Sequence, residues 1–127
     1  KPKMITIDKI QSFCLTKDLS SEEFPFDNTT LVFKVLGKVF AVCPLEDWES
    51  GTPSITLKCD PNYALELRNS YDAIRPGFHS NKKHWNTIYL STAGFSPEFI
   101  FELIDHSYSM VVQNMPKKLK TQLINYK

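Results

Sequence analysis

The residue types best suited to binding chemistry lie together in the second half of the chain. Basic, imidazole and amide side chains precede a tryptophan there, in the set Arg75, His79, Asn81, Lys82, Lys83, His84 and Trp85. Cations and donors of this kind contact phosphate oxygens, and an indole offers a flat face on which a base can stack. A second basic group follows at Lys117, Lys118 and Lys120. The two groups predict a nucleic-acid contact, whereas the competing interpretation is an exposed loop with Trp85 as a packing lid.

The net charge of +1 hides an uneven distribution. Residues 1–72 carry 8 Lys and Arg against 11 Asp and Glu, a net charge of −3, and residues 73–127 carry 7 against 3, a net charge of +4. No acidic residue occurs between Asp72 and Glu98, and none follows Asp105. This is a mild basic bias, well short of the strongly basic composition of a dedicated nucleic-acid protein.

The histidines do not form a recognisable metal-binding pattern. His79 and His84 are five residues apart, and His106 lies on an apolar-striped helix next to Asp105. Zinc sites use three or four ligands at characteristic spacings, and no carboxylate or thiolate is close to the first two histidines in sequence. We therefore expect no metal or cofactor. We expect His106 to bond to a loop and so tie its helix to the central motif.

The chain also lacks the arrangements that enzymes use. Catalysis would need a nucleophile with an adjacent base, a carboxylate pair or a phosphate-binding loop. There are only 4 glycines, and Gly77 and Gly94 stand isolated. Ser107 follows His106, but neighbouring residues on a helix do not face each other. The sequence predicts a non-enzymatic protein.

Cysteine usage and hydropathy indicate the compartment. Cys14, Cys43 and Cys59 form an odd set without Cys-x-x-Cys spacing, so we expect buried thiols in a reducing environment. No apolar run approaches the roughly 18 residues of a membrane helix, and no signal-peptide pattern is present. We expect a cytoplasmic protein with no membrane partner, folded as one domain over residues 1–127.

Helical and strand-like periods alternate along the first half of the chain. We predict a helix capped by Thr6 and ending near Thr16, then a polar loop over residues 18–28 in which Phe24 and Phe26 fold back onto the core. Strand-like runs follow at 31–35, 39–43 and 54–58. Gly37-Lys38 joins the first two runs as a hairpin, and a longer loop holding Trp48 separates the last two.

Proline and cap signals mark the later helices. Asp60-Pro61 starts a helix that ends by about Tyr71, Ser96-Pro97 starts the clearest helix, and Pro116 opens a short basic one. Residues 74–79 and 85–90 between them are predicted to be two short strands, or one strand and a structured loop. In the second run Trp85, Thr87 and Tyr89 point one way, and Asn86, Ile88 and Leu90 point the other.

This order of elements predicts an α+β fold. Strands grouped ahead of helices favour a two-layer α-β3-α-β2-α domain with a largely antiparallel sheet packed against helices. The residues that we expect in the core are Leu31, Phe33, Phe40, Val42, Leu57, Leu67, Ile88, Leu90, Ile100, Leu103 and Ile104.

Four longer motifs carry further information. They are Leu31-Val32-Phe33-Lys34 with Gly37-Lys38, Leu57-Lys58-Cys59-Asp60-Pro61, Pro76-Gly77-Phe78-His79 with Asn81-Lys82-Lys83-His84-Trp85-Asn86-Thr87, and Glu102-Leu103-Ile104-Asp105-His106-Ser107-Tyr108 with Pro116-Lys117-Lys118-Leu119. Together they resemble the bacterial MmcQ/YjbR family over about residues 24–119. The family more often has Tyr where this chain has Phe78, and Met where it has Ser80.

The resemblance implies both a fold and a function. The fold is like that of the secretion-chaperone and frataxin-like two-layer domains. The implied function is DNA binding through an arrangement compared with a double wing, with no substrate, cofactor or catalytic mechanism attached.

Two function hypotheses follow from the sequence. The first is weak binding of duplex DNA by the basic and aromatic motif. The alternative is a chaperone-like module that binds another protein, or associates with itself, through a sheet face or edge, as a monomer or weak dimer. Lysines gathered on one face would favour nucleic acid, whereas a broad apolar face would favour a protein partner.

Overall fold

The structure is a computed structural model that describes residues 5–77, 81–91 and 94–123. Its helices are α1 (Ile7–Leu15), α2 (Leu45–Glu49), α3 (Pro61–Ser70), α4 (Pro97–Gln113) and α5 (Lys117–Lys120). Its strands are β1 (Ser20–Glu23), β2 (Thr30–Val35), β3 (Lys38–Pro44), β4 (Ser54–Lys58), β5 (Ile74–Pro76) and β6 (Trp85–Tyr89). Within these ranges, none of the helices combines the length and the apolar character that are needed to cross a bilayer.

The six strands form one antiparallel sheet in the order β1-β2-β3-β4-β6-β5. Helices α1, α3 and α4 supply Ile10, Ala64 and Ile104 to a single core on one side of it. The predicted α+β architecture with an antiparallel sheet is therefore confirmed. β6 pairs with both β4 and β5, so the last hairpin joins the sheet through β6.

The three long helices start where their cap residues predict. The side chains of Thr6, Asp60 and Ser96 accept hydrogen bonds from first-turn backbone amides of α1, α3 and α4. Pro61 and Pro97 occupy the first turn, where a missing amide hydrogen costs nothing. The cap residues were sufficient to predict where these helices start, because capping acts within four residues and needs no tertiary contact.

The predicted polar loop over residues 18–28 was wrong in two respects. Residues Ser20–Glu23 form an edge strand. The alternation of apolar and polar residues that marks a strand is missing there, because all four side chains are polar. Phe24 and Phe26 are 47% and 72% exposed and do not anchor the core. Asp27 accepts hydrogen bonds from the backbone amides of Thr29 and Thr30, at 2.9 and 2.7 Å, so the chain turns directly from the edge into β2.

The predicted loop around Trp48 instead contains α2. Five residues are too few for a helical period to show in sequence. The indole nitrogen of Trp48 donates to the carbonyl of Ser54 at 3.0 Å, and its ring packs on the core.

A β-bulge in β3 changes which side chains point inward. Phe33 pairs with Ala41, but Lys34 pairs with Val39, so Phe40 is an extra residue. Phe40 and Ala41 are consequently both fully buried, and Val42 is only half-buried. The prediction that Val42 lies in the core was wrong, because simple alternation does not survive an inserted residue. The other ten predicted core residues are buried, as expected.

The face of the sheet opposite the helices is called the outer face below. One row of paired residues crosses it, consisting of Glu23, Val32, Val42, Thr56, Thr87 and Arg75. Val32, Thr56 and Thr87 are buried within this row, whereas Glu23 and Arg75 at its ends are exposed.

Candidate nucleic-acid interface

The turn before β6 presents two lysines on a fixed backbone. The carbonyl of Asn81 accepts hydrogen bonds from the amides of His84 and Trp85, at 3.2 and 3.0 Å. Its side-chain oxygen accepts from the amide of Lys83 at 2.9 Å. Asn81 therefore shapes the turn, and its contact with phosphate stays a prediction. Lys82 and Lys83 are exposed.

Arg68 of α3 holds this turn against the helix layer. Its Nε donates to Oδ1 of Asn86 at 2.6 Å, and Nη2 donates to the carbonyl of Lys82 and, at 3.4 Å, to that of Trp85. Asn86 is 2% exposed, and its amide donates to the carbonyl of Ala64 at 3.4 Å. Arg68 was not among the predicted site residues. The inward register of Asn86 was the available signal, because a buried amide requires polar partners.

The same segment is tied to α4 through the β4–α3 junction. The amide of Cys59 donates to the carbonyl of His84 at 2.7 Å, and the amide of Asp60 donates to Nε2 of His106 at 3.1 Å. The prediction that His106 bonds to a loop is confirmed. The hydrogen bond assigns the ring proton to Nδ1. Burial lowers the pKa of His106, and the nearby Asp60 opposes that shift.

Trp85, Thr87 and Tyr89 lie on the outer face, because Asn86 and Ile88 face the helices. Lys58 of β4 is the cross-strand partner of Trp85, and Ser54 is the partner of Tyr89. Trp85 is half-buried and is not one of the described residues that pack against the hydrophobic core. Both interpretations of Trp85, as a binding face and as a packing lid, stay predictions.

Arg75 lies at the outer edge beside a groove of about 490 Å³. The groove is lined by Asp72, Ala73, Arg75 and Tyr89, and the Arg75 Nε donates to the carbonyl of Asp72 at 2.9 Å. Tyr89 was not among the predicted site residues. Its position on the same strand face as Trp85 was the signal that could have added it.

The lysines of α5 lie on a different part of the molecule. Leu123, just beyond α5, lines a cavity together with Lys17 and Asp18 at the end of α1, and α1 contacts β1. β1 and β5 are opposite edges of the sheet. The structure therefore separates Lys117, Lys118 and Lys120 from the group around Arg75 and Trp85. His79 lies outside the described residues.

The cysteines are buried free thiols, as predicted. Burial raises the pKa of Cys14 to about 12 and that of Cys59 to about 11, so both are neutral near pH 7. A thiol that stays protonated is a poor nucleophile and a poor metal ligand. Across the described parts of the chain, His, Cys, Asp and Glu side chains do not gather in groups of three that could hold a metal ion.

The model of the YjbR family matches residues 15–110. The chain belongs to the YjbR family. The resemblance inferred from the motifs over about residues 24–119 is thus confirmed. Within this family, the uncharacterized protein YjbR of Escherichia coli (strain K12) is 31% identical over 121 residues, covering 94% of this chain and 98% of its own length. The uncharacterized protein YbdF of Escherichia coli O157:H7 is 37% identical over 95 residues, 75% of each chain.

A solved structure supports the same assignment. The Deinococcus radiodurans protein DR2400, which has a DUF419 domain, superposes with a TM-score of 0.82 at 34% identity. The match covers 96% of this chain and 89% of that one. The fold is therefore shared with a protein whose crystal structure is known.

Proposed function

We propose that this YjbR-family protein is a non-enzymatic DNA-binding protein of the cytoplasm. The supporting observation is the charge distribution around β6. Lys58 and Arg75 are the cross-strand partners of Trp85 and Thr87, and Lys82 and Lys83 lie on the turn that leads into β6. β4, β5, β6 and the turn at 81–84 contain no carboxylate. Asp72 lines the groove beside Arg75 and is an opposing charge there. We call Lys58, Arg75, Lys82 and Lys83 the β6 basic group.

Binding by this group should be weak and depend strongly on salt. Each phosphate contact releases condensed counterions, which gives a slope of about −0.9 per contact in a plot of log affinity against log salt for duplex DNA. Three to five contacts predict a slope of about −3 to −4.5, with little sequence preference.

The test is a titration of the full chain with a labelled 20-base-pair duplex, and with each separated strand, over a range of salt concentrations. For the duplex, replacing Lys82 and Lys83 together by Ala should remove about two contacts and flatten the slope by about 2. Both side chains are exposed, so the fold should be retained.

The separation of the two basic groups provides a matched control. Replacing Lys117 and Lys118 together by Ala changes the net charge by the same amount at exposed positions on the β1 side of the molecule. This control should leave the slope unchanged. Absence of binding by the duplex and by both strands at low salt would overturn the proposal, as would normal binding by the Lys82–Lys83 double variant.

A second candidate function rests on the exposed edge of β1. Leu19, Phe24 and Phe26 are 47%, 47% and 72% exposed around this strand, which also carries the exposed Glu22 and Glu23. Such an edge can add an extended strand, and its acids favour a basic peptide over a second β1. A Val-Lys alternating peptide should then perturb the β1 backbone resonances, and replacing Phe24 and Phe26 by Ser should abolish the effect. Unperturbed β1 resonances at millimolar peptide would reject this candidate.

A further inference from the structure

Two aromatic side chains stand on the outer face of one strand. Trp85 and Tyr89 are four residues apart on β6, which separates them by about 13 Å along the strand. Tyr89 is 38% exposed and Trp85 is half-buried. The spacing is wide enough for each ring to receive a different base.

The surface between the two rings is low and polar. Thr87 lies midway on β6 and pairs with Thr56 of β4, and their hydroxyl oxygens are 2.8 Å apart in a hydrogen bond. Both threonines are buried, with Thr87 3% and Thr56 7% exposed. These two threonines form the floor between the rings, so a flat group that approaches from the outer face meets the rings rather than the floor.

The β6 basic group borders this floor. Lys58 is directly opposite Trp85, Arg75 is directly opposite Thr87, and Lys82 and Lys83 lie on the turn that leads into β6. Arg75 and Tyr89 also line the same groove. Cations beside rings suit a polyanion that carries aromatic bases.

We propose that the occupant of this surface is single-stranded nucleic acid, with two unpaired bases of one strand stacked on Trp85 and Tyr89. The proposal rests on the proposed DNA-binding function and specifies its ligand. In a duplex the flat faces of the bases are covered by their neighbours, and the major groove admits a helix or a two-stranded ribbon. Aromatic rings on a strand face, flanked by cations, instead match the way in which unpaired bases are bound.

The experiment compares three labelled oligonucleotides on the full chain at one low salt concentration. They are a 20-residue oligo(dT), a 20-residue oligo(U) and a 20-base-pair duplex. Oligo(dT) should bind at least about tenfold more tightly than the duplex, since stacking contributes only to the unpaired strand. The oligo(U) arm shows whether RNA is taken as well as DNA.

Two ring-removing variants test the stacking. Trp85→Leu and Tyr89→Leu should each weaken oligo(dT) binding by about tenfold or more, and each should weaken oligo(dT) binding by a larger factor than duplex binding. Trp85→Phe keeps a stacking face and should retain most of the affinity, so the test stands even if Trp85→Leu folds poorly. Phe26→Leu is the matched control, because it removes an exposed ring beyond the far edge of the sheet.

The outcomes separate the two proposals. If none of the three oligonucleotides binds, the DNA-binding function itself fails. If the duplex binds as tightly as oligo(dT), or if Trp85→Leu and Tyr89→Leu both bind oligo(dT) like the parent, the single-strand proposal is overturned and DNA binding stands.

Discussion

Ser107 connects α4 to two strands through one hydroxyl group. Its Oγ donates to the carbonyl of Phe40 at 2.6 Å and accepts from the amide of Lys58 at 2.9 Å. The register of β3 and β4, continued by one residue beyond Ala41 and Leu57, would place Phe40 opposite Lys58. The hydroxyl therefore bridges two backbone groups at the point where the ladder between the strands stops.

Removing this hydroxyl should be costly. Ser107 is fully buried, so Ser107→Ala leaves two backbone groups without a partner, at about 1–3 kcal/mol each. We expect a loss of about 3 kcal/mol in the free energy of unfolding, measured by urea denaturation. Ser109→Ala, at an exposed position of the same helix, should stay within about 0.5 kcal/mol. A loss below about 1 kcal/mol for Ser107→Ala would mean that the strands close up and bond directly.

His106 should make stability depend on pH. Its folded-state pKa is lowered, chiefly by burial, so the unfolded chain binds more protons between that pKa and the ordinary value near 6.5. The contribution of the neutral ring is present above about pH 6.5 and is lost as the pH falls below it. His106→Gln keeps an acceptor for the Asp60 amide but does not titrate. Its denaturation midpoint should fall less than the parent's between pH 7.5 and pH 5.5, and equal decreases would contradict this assignment.

At the scale of elements, the bulge in β3 decides which residues the core receives. Phe40 is the extra residue, and its ring lies edge-on to that of Tyr108 at 5.4 Å between centroids. The hairpin turn before it is set locally, because Leu36 and Gly37 have φ of 48° and 80°, as a tight turn of the primed type requires. Gly37 made the turn predictable from sequence. The bulge left no local signal, since Val39, Phe40, Ala41 and Val42 are all apolar.

The bulge can be tested with one substitution at two sites. Val→Thr preserves shape and adds a hydroxyl, which is costly only where it cannot find a partner. Val35→Thr places that hydroxyl in the core and should cost about 1–2 kcal/mol. Val42→Thr places it on the half-buried outer face beside Thr56 and should cost about 0.5 kcal/mol or less. Thermal denaturation of both variants is the measurement, and a reversed order would show that Val42 faces inward.

At the scale of the whole molecule, the sequence predicted what depends on local pattern. Hydrophobic periodicity and turn residues predicted the capped helices such as α3 and α4 and the strands such as β2 and β4. They also predicted which side chains of β6 face the helices. The sequence predicts the members of the candidate site less well. Arg68 and Tyr89 belong to it through contacts between elements that are distant in sequence, and α5 is excluded from it by a sheet order that no local pattern encodes.

The place of β6 in the sheet affects which part of the molecule opens locally. Within the sheet, the β5–β6 hairpin pairs with the other four strands along one side, through the β4–β6 seam of five residue pairs, which the Thr56–Thr87 hydrogen bond and Arg68 reinforce. A hairpin paired along one side at the edge of a sheet can open while β2 and β3 stay folded. In hydrogen–deuterium exchange, the amides of β5 and β6 should exchange as one group, at a lower opening free energy than those of β2 and β3. A polyanion bound across the seam, as proposed, would slow that group selectively, whereas equal exchange of both hairpins would mean that the sheet opens only as a whole.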